Sequence, residues 1–319
     1  MHIDKKPLDS WRLAAESMIT QSSVWEAIMG LQRASKSARD QGLLPECDLS
    51  RDGSVFTVRM AAPDEVEVAH NLFCQHLAAN EVEALSRFRT NLEGAVLLGK
   101  LTRYRLFIAI EVCTNEIVAA HAGFLISMGK GQSVFVGTYA ATRNTHRRFG
   151  LMRELFTCSL MQAAIDAHVR EEELKLVVGD CTNGSETVWN TTGRKRIYVP
   201  TGTWTYREVA FQQSSLEFHR ATGLPTEEAG AVTEHLMART FGCVLDKLML
   251  LGAVRAIYAW SGKRTTSDFE TCAAFSVYKD HFKHLIENFS KSLHHGAGDI
   301  ILYSAAERAE KEGEGYSFE

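Results

Sequence analysis

The chain has 319 residues, of which 45% are hydrophobic and 23% are charged, and its formal net charge is −4. This composition is typical of a globular protein with one large domain, or one core domain with additions. No long basic tract indicates nucleic-acid binding, and no apolar stretch approaches the ~18 residues of a membrane span. The N-terminus lacks the apolar segment of a signal peptide. We therefore expect no nucleic-acid partner, no membrane association and a cytoplasmic location.

The cysteine pattern favours reduced thiols. Seven cysteines are scattered along the chain, and no two of them form a C-x-x-C pair. An odd number at irregular spacing predicts neither a disulfide framework nor a zinc site, so we expect no metal cofactor. The sequence also contains no H-E-x-x-H, G-x-S-x-G or Walker-type glycine loop. The common metalloprotease, hydrolase and nucleotide-binding motifs therefore do not assign a function.

The first half of the chain changes its pattern at Ser54. An amphipathic pattern over residues 10–40 predicts one or two helices, which make residues 1–50 a helical N-terminal segment. The polar stretch 47–53 is interpreted as a linker. After it the sequence predicts, in order, a strand at 54–60, helices that open at Pro63 and cover 81–92, a hairpin of strands 105–113 and 116–127, and a strand at 133–142.

The second half begins with a long amphipathic helix predicted at 150–168. The following elements are a nearly continuous apolar strand at 174–180, a short helix within 181–193, and strands at 194–199 and 204–211. Beyond 212 the pattern predicts helices at 226–251 and 269–293, short strands at 254–260 and 299–303, and a charged, frayed tail. We therefore expect an α/β (α+β) core over 54–211 and a mostly helical region over 212–319.

One junction suggests chemistry. Cations crowd the turn between the strand at 133–142 and the long helix, with Arg143, His146, Arg147 and Arg148 followed by Gly150. The first amides of a helix lack intrahelical partners, and the helix dipole places partial positive charge there. A glycine lets a phosphate approach those amides, and arginines add charge-assisted hydrogen bonds. The turn is thus either an anion site or a solvated connection in which the glycine only eases the bend.

At this turn the chain resembles the GNAT superfamily of N-acyltransferases, whose cofactor loop reads Arg/Gln-x-x-Gly-x-Gly/Ala. The matching residues here are Arg147, Arg148, Phe149, Gly150, Leu151 and Met152, with Met152 in place of the usual small residue. A second similarity follows the next strand, where Asn183, Trp189 and Gly193 resemble an Asn, aromatic, Gly pattern. The gap between Asn183 and Trp189 is one residue short, and Trp189 replaces the usual tyrosine.

The resemblance implies a GNAT-like fold, with a mixed, mostly antiparallel central sheet flanked by helices and with helical additions at both ends. It implies acetyl-coenzyme A or another acyl-coenzyme A as co-substrate, and no metal. The pyrophosphate would bind the amides of Arg148 to Met152. The pantetheine arm would pair with the strand near Tyr139, Ala140 and Thr142, in an opening between the strands 133–142 and 174–180, and Asn183 would bind the arm or position the thioester.

The catalytic groups are less defined. GNAT catalysis needs a base for the acceptor amine and a donor to the departing thiolate. The strand 133–142 contains no carboxylate or histidine, which leaves Glu111, His121 and Asp180 as candidate bases. Each has a structural alternative: Glu111 as a solvated strand residue, His121 as a core histidine, and Asp180 as the cap of the next helix. Cys181 is better interpreted as a buried thiol than as a nucleophile.

Three functions remain open, in this order. The first is N-acylation of a small-molecule amine or amino acid by acyl-coenzyme A. The second draws the acyl group from an acyl carrier protein, whose acidic surface would suit the arginines of the turn, while bulky Phe149 and Met152 would disfavour a pyrophosphate. The third is a GNAT-like module without catalysis that binds a ligand or partner. The helical additions leave a homodimer open.

Overall fold

A computed structural model describes residues 47–319 apart from 52, 78–80, 98, 182–184, 191–192, 213, 215–216, 227–234 and 295–297. The predicted N-terminal helices at 10–40 lie outside these residues. The chain divides into two compact units, one up to Ser127 together with Gly131–Lys175, the other formed by Met128–Lys130 and Leu176–Glu319. Mostly antiparallel strands flanked by helices confirm the predicted mixed α/β class. The predicted domain boundaries stay a prediction.

The first unit is built on strands that run in the order β1-β2-β5-β6-β7. The pairs β1–β2, β2–β5 and β5–β6 are antiparallel, and Phe56 of β2 lies opposite Glu111 of β5. A short separate hairpin joins β3 and β4. The strands are β1 Cys47–Arg51, β2 Ser54–Met60, β3 Ala95–Leu97, β4 Lys100–Thr102, β5 Tyr104–Glu111, β6 Glu116–Gly129 and β7 Gln132–Thr142.

Helices cover both faces of these strands. They are α1 Val66–His76, which follows a 3-10 turn at Pro63–Glu65, α2 Leu85–Glu93 and α3 Leu151–Val169. On one face, aromatic rings of α1, α2, β5 and β7 pack together, namely Phe73, Phe88, Tyr104 and Tyr139. On the other face, Leu151 and Leu155 of α3 join a buried cluster with Phe56, Val58 and Phe107. The cover on both faces explains the alternating pattern along β2. Helix α3 lies where it was predicted, but it does not have a single apolar face, since every residue from Glu154 to Ile165 is buried.

Two predictions for the first unit need correction. The stretch 47–53, interpreted as a linker, contains β1, which pairs with β2 across a turn at Gly53. The hairpin was hidden because Asp48, Ser50 and Arg51 make this short stretch mostly polar, which an edge strand that is paired on one side allows. The second omission is the hairpin of β3 and β4, whose three-residue strands are too short for a periodic signal. The remaining elements up to 181 lie close to their predicted positions.

The second unit has its own strand order, β8-β11-β9-β10-β13, with β12 also paired to β9. Helices α5 and α6 pack on each other, and a buried aromatic cluster includes Tyr258, Tyr278 and Phe282. The elements, in chain order, are β8 Glu173–Cys181, α4 Glu186–Asn190, β9 Lys195–Pro200, β10 Thr205–Glu208, β11 His235–Thr240, α5 Lys247–Ser261, α6 Cys272–His294, β12 Ile301–Tyr303, α7 Ala305–Gly313 and β13 Ser317–Phe318.

Three predictions beyond 212 are wrong. The predicted helix 226–251 contains β11, because pairing with β8 on one side and β9 on the other overrides local propensity. The predicted strand 254–260 lies inside α5, whose first turn is capped by the Asp246 carboxylate. The tail interpreted as frayed forms α7, where Ser304 and Glu307 make a capping box, and then β13.

Candidate functional site

The turn before α3 has an unusual backbone. After β7, a single 3-10 turn covers Asn144–His146, and Arg148 then takes a φ of 74°, in the left-handed region. Gly150 is also left-handed, with φ 79° and ψ 7°, and α3 begins at Leu151. Left-handed backbone costs a non-glycine residue about 1–2 kcal/mol, so the conformation at Arg148 must be stabilised by the residues around it. At Gly150 the sequence supplies the residue that this conformation favours.

The amides of this turn are open. Among the residues that the structure describes, none accepts a hydrogen bond from the main-chain N–H groups of 148–152. The first amides that find a partner are those of Arg153 and Glu154, which both donate to the carbonyl of Gly150 at 3.0 and 3.3 Å. The helix dipole adds partial positive charge at the same place. Consecutive unbonded amides at a helix N-terminus can hold an anion such as a phosphate.

The side chains at the turn divide into paired and unpaired cations. Arg143 forms an ion pair with Glu116 at 2.5 Å, and His146 lies 3.6 Å from the Glu111 carboxylate. Within the described part of the chain, the exposed side chains of Arg147, Arg148 and Arg153 make no ion pair and no hydrogen bond. Their positive charge is therefore available to a ligand.

The bulky residues of the loop do not fill the space at Gly150. Phe149 packs against Phe56, with ring centroids 5.6 Å apart, and both Phe149 and Met152 contact the buried cluster beneath α3. A Cβ atom built on Gly150 would meet no atom within 4 Å. This removes the argument that Phe149 and Met152 disfavour a pyrophosphate. The open amides, the space at Gly150 and the unpaired arginines fit the diphosphate of a coenzyme A.

The residues expected along the pantetheine arm lie on β7. Tyr139 is buried, with its ring beside Phe73 and Phe88, and its hydroxyl oxygen accepts from the amide of Glu83 at 3.4 Å. Ala140 and Thr142 alternate with it and are half-buried. The packing explains why Tyr139 is aromatic, and it leaves only the main chain of β7 for an arm. The pairing of the arm with this strand stays a prediction.

His121 is a core residue. Its side chain is fully buried on β6, and its Nδ1 lies 2.8 Å from the hydroxyl of Ser159 on α3. When that hydroxyl donates to the carbonyl of Leu155, 2.9 Å away, its bond to His121 requires the tautomer with the proton on Nδ1. The ring also packs between Phe135 and Phe156. These contacts match the structural alternative given above, and they keep His121 away from solvent.

Glu111 lies at the end of β5 beside the turn. The hydroxyl of Thr114 donates to its carboxylate at 2.9 Å, and His146 approaches the other oxygen. The Thr114 hydrogen bond is the main cause that lowers the pKa of Glu111, and the charge of His146 acts in the same direction. A carboxylate with a lowered pKa is a weak base. The contacts give Glu111 a part in positioning the turn through His146.

In the second unit, Asp180 lies half-buried on β8, opposite Leu236 of β11. The neighbouring Cys181 is buried, and burial raises the pKa of its thiol to about 12, so it stays protonated and is not a nucleophile. Asn183 lies outside the described residues. The roles expected for Asp180 and Asn183 stay predictions.

A buried cation near these residues was missed. Arg194 is fully buried, and its guanidinium lies 4.4 Å from the ring centroid of Trp189. Burial lowers the pKa of Arg194 to about 9, while the charge of Asp180 works against that shift. The sequence R-K-R at 194–196 was interpreted only as the start of a strand. Three consecutive cations beside the apolar residues 197–199 were the feature of the sequence that could have indicated a buried charge.

Neither a family model nor a curated protein matches the chain. Similar solved structures are acetyltransferases of the GNAT family, the family that the turn motif resembles. One is the ribosomal-protein-S18-alanine N-acetyltransferase of Escherichia coli, at 12% identity and a TM-score of 0.36 over 60% of this chain and 97% of that one. A second is a GNAT acetyltransferase of Staphylococcus aureus Mu50, at 9% identity and a TM-score of 0.36 over 58% and 98%.

A third similar structure is a fungal multi-domain GH3 β-N-acetylglucosaminidase with a GCN5-related glucosamine N-acetyltransferase region. The match covers 46% of this chain but only 18% of that one, at 11% identity and a TM-score of 0.33. Identities and TM-scores this low carry no information on the activity of this chain. Within the described residues, no helix is long and apolar enough to cross a bilayer, and no group of three or more His, Cys, Asp or Glu side chains could hold a metal ion.

Proposed function

We propose that the chain is an N-acyltransferase that takes its acyl group from acyl-coenzyme A and transfers it to the amine of a small molecule or amino acid. The observation that carries the proposal is the run of unbonded amides at 148–152, at the N-terminus of a 19-residue helix. Arg147 and Arg148 would neutralise the diphosphate of the cofactor through charge-assisted hydrogen bonds. The bound cofactor would supply the activated thioester.

The residues of the turn would bind and orient the donor. The amides of 148–152 would fix the diphosphate, and the contacts of Phe149 and Met152 with the core would hold those amides in place. The His146–Glu111 and Arg143–Glu116 pairs would keep the preceding 3-10 turn from moving. The acceptor amine would then attack the thioester carbonyl, its proton would pass to a base or to water, and the thiolate would leave as the thiol. We propose Asp180 as the first base to test.

The test compares three donors on one preparation of the whole chain. Calorimetry with acetyl-coenzyme A, a long-chain acyl-coenzyme A and an acylated carrier protein measures which donor binds, and mass spectrometry of an amine mixture detects acylated product. Saturable binding of a coenzyme A thioester with formation of an acylated amine supports the proposal. Binding of acylated carrier protein alone would replace it by the carrier-dependent alternative, which the unpaired Arg147, Arg148 and Arg153 also suit. Binding without product from any amine would leave a ligand-binding module.

A further inference from the structure

The first unit contains a cavity that the acyl-transfer proposal does not use. It has a volume of about 490 Å³ and lies beside the end of β2, the end of α2 and the start of β5. That volume is within the ~300–1,000 Å³ typical of small-molecule sites. Its lining includes the apolar side chains of Met60, Val66, Leu92, Tyr104 and Leu106. The turn at Gly150 follows β7 and is not part of this lining.

Two of the three arginines at the cavity are already neutralised. Arg105 forms a two-point ion pair with Asp166, with N–O distances of 2.8 and 2.6 Å. Arg89 pairs with Glu67 at 3.0 Å. These pairs leave no net charge for a ligand, so the electrostatics of the cavity depend on its remaining charged residues.

The remaining charged residues are one cation and one anion. Arg103 and Glu93 both line the cavity, and within the described residues neither side chain makes an ion pair or a hydrogen bond, with each other or with another group. The charge of Arg105 and burial lower the pKa of Arg103, and the charge of Asp166 acts in the opposite direction. Unpaired opposite charges that line one cavity provide two separate charge sites.

The backbone brings Glu93 and Arg103 close together. Gly94 follows Glu93 as the C-cap of α2, at a φ of 98°, and a Cβ atom there would lie 2.7 Å from the Cβ of Arg103. Only glycine fits this close approach. The carboxylate of Glu93 is also at the C-terminus of a helix, where the dipole favours a cation. An ammonium group therefore finds two favourable contributions at this end of the cavity.

We propose that this cavity binds a free α-amino acid with an apolar side chain. Arg103 binds the carboxylate, Glu93 with the C-terminus of α2 binds the ammonium, and the side chain lies among Val66, Leu92 and Leu106. The carboxylate and ammonium of the ligand neutralise the unpaired charges of Arg103 and Glu93. The apolar lining favours ligands with an apolar side chain. This site does not depend on the acyl-transfer activity.

Calorimetry of the whole chain with L-leucine, in the absence of any thioester, tests the site. Two analogues each lack one charge: leucinamide has no carboxylate and 4-methylpentanoate has no ammonium. Glycine lacks the apolar side chain. Saturable binding of leucine, with at least tenfold weaker binding of all three other compounds, is expected. Absence of saturable leucine binding at millimolar concentrations, or equal binding of leucinamide, would overturn the assignment.

Variants localise the binding. Arg103→Gln and Glu93→Gln should each weaken leucine binding at least tenfold. Arg89→Gln is the matched control, because it removes an arginine at the same cavity whose charge is already paired, and it should change binding less than threefold. All three variants should keep the thermal transition and the coenzyme A affinity of the parent chain. Equal losses in Arg89→Gln and Arg103→Gln, or unchanged binding in Arg103→Gln, would overturn the proposal without affecting the proposed acyl transfer.

Discussion

Two arginine clusters of the described residues differ in how their charge is compensated. In the turn before α3, Arg147 and Arg148 are exposed and make no ion pair with any described residue. In the second unit, Arg196 and Arg308 both meet the buried carboxylate of Glu186, at 2.5 and 2.7 Å. The second cluster joins α4, β9 and α7, and its charges are satisfied inside the protein.

This difference separates a structural cluster from a binding cluster. A buried charge that has lost its partner destabilises the protein. Glu186 neutralises Arg196 and Arg308, so this cluster has no free charge to bind a ligand. An exposed arginine without an ion-pair partner costs little free energy, because water solvates it. Arg147 and Arg148 can therefore remain unpaired until an anion binds. In the sequence Arg147 and Arg148 are adjacent, whereas Arg196 and Arg308 are far apart, and only the positions of the carboxylates show which arginines are neutralised. Four variants and one pH profile test this comparison.

The largest effect is expected from Glu186→Gln, which leaves the buried Arg196 with only the more distant Glu208, at 3.3 Å, and leaves the half-buried Arg308 without its ion-pair partner. The free energy of unfolding, measured by urea denaturation at neutral pH, should fall by about 3–5 kcal/mol. Glu314→Gln is the matched control, because its pair with Lys311 is exposed and should be worth less than about 1 kcal/mol. Similar losses in the two variants would contradict the structural role of the cluster.

The same cluster predicts a dependence on pH. Burial acts to raise the pKa of Glu186, but the hydrogen bonds from Arg308 and the charge of Arg196 outweigh it and lower the pKa. A carboxyl with a lowered folded-state pKa stabilises the protein above the unfolded value of about 4.3, and that stabilisation is lost as the pH falls through the folded pKa. The unfolding free energy of the parent chain should therefore decrease below about pH 4.5, more steeply than that of Glu186→Gln.

The open turn is tested by Gly150→Val. A Cβ there meets no protein atom, so the cost to folding is the left-handed backbone, about 1–2 kcal/mol, while the valine occupies the space of a diphosphate. Calorimetry should show at least ~100-fold weaker coenzyme A binding, which is about 2.7 kcal/mol. Gly99→Val is matched to it, with φ 74° and no neighbouring atom, and should keep the affinity. Unchanged affinity in Gly150→Val would exclude this turn as the diphosphate site.

A smaller effect is expected from reversing the charges of Arg147 and Arg148 to glutamate. The apparent KM for the acyl donor should rise about 10–100-fold, because one or two charge-assisted hydrogen bonds are replaced by repulsion, and the KM for the acceptor should change much less. Arg255→Glu, an exposed arginine on α5, serves as the control. An equal rise for donor and acceptor would argue against a role in donor binding.

The smallest effect is expected from Glu111→Gln. Its carboxylate has a lowered pKa and accepts from Thr114, so kcat near neutral pH should change less than about threefold, whereas loss of a general base costs about 100-fold or more. Asp180→Asn, measured in the same assay over pH 6–9, provides the comparison. A large loss of kcat in Glu111→Gln, with an unchanged kcat in Asp180→Asn, would make Glu111 and not Asp180 the general base.

Local patterns predicted much of the fold. The strand at 54–60 coincides with β2, because it has one buried face and a clear period. The helix over 150–168 coincides with α3, because good helix formers predominate from Leu151 onward, although all of its residues from Glu154 to Ile165 are buried. β11 was missed because H-L-M-A-R-T contains no β-branched residue before its last position, and its strand conformation comes from pairing on both sides. In the charge run of the tail, alternating signs concealed the capping box that begins α7.

The sequence predicted the main-chain part of the candidate site but not its side-chain contacts. The position of Gly150 and the helix that follows it could be inferred from the turn and the helical period. Unpaired amides, the inward packing of Phe149 and the pairing of Arg143 with Glu116 depend on contacts between distant segments, which a single sequence does not display. The cavity lined by Glu93 and Arg103 is of the same kind, since no motif joins its residues.

The left-handed backbone of Arg148 offers a practical route for protein engineering. Replacing Arg148 by alanine would keep a Cβ atom in left-handed backbone and therefore its conformational cost. Replacing it by glycine removes both the charged side chain and that cost. The relief should roughly offset the greater freedom that glycine gives the unfolded chain. Arg148→Gly would therefore be a charge deletion with almost no cost in stability, and it would give crystallographers a less cationic surface patch without altering the path of the main chain.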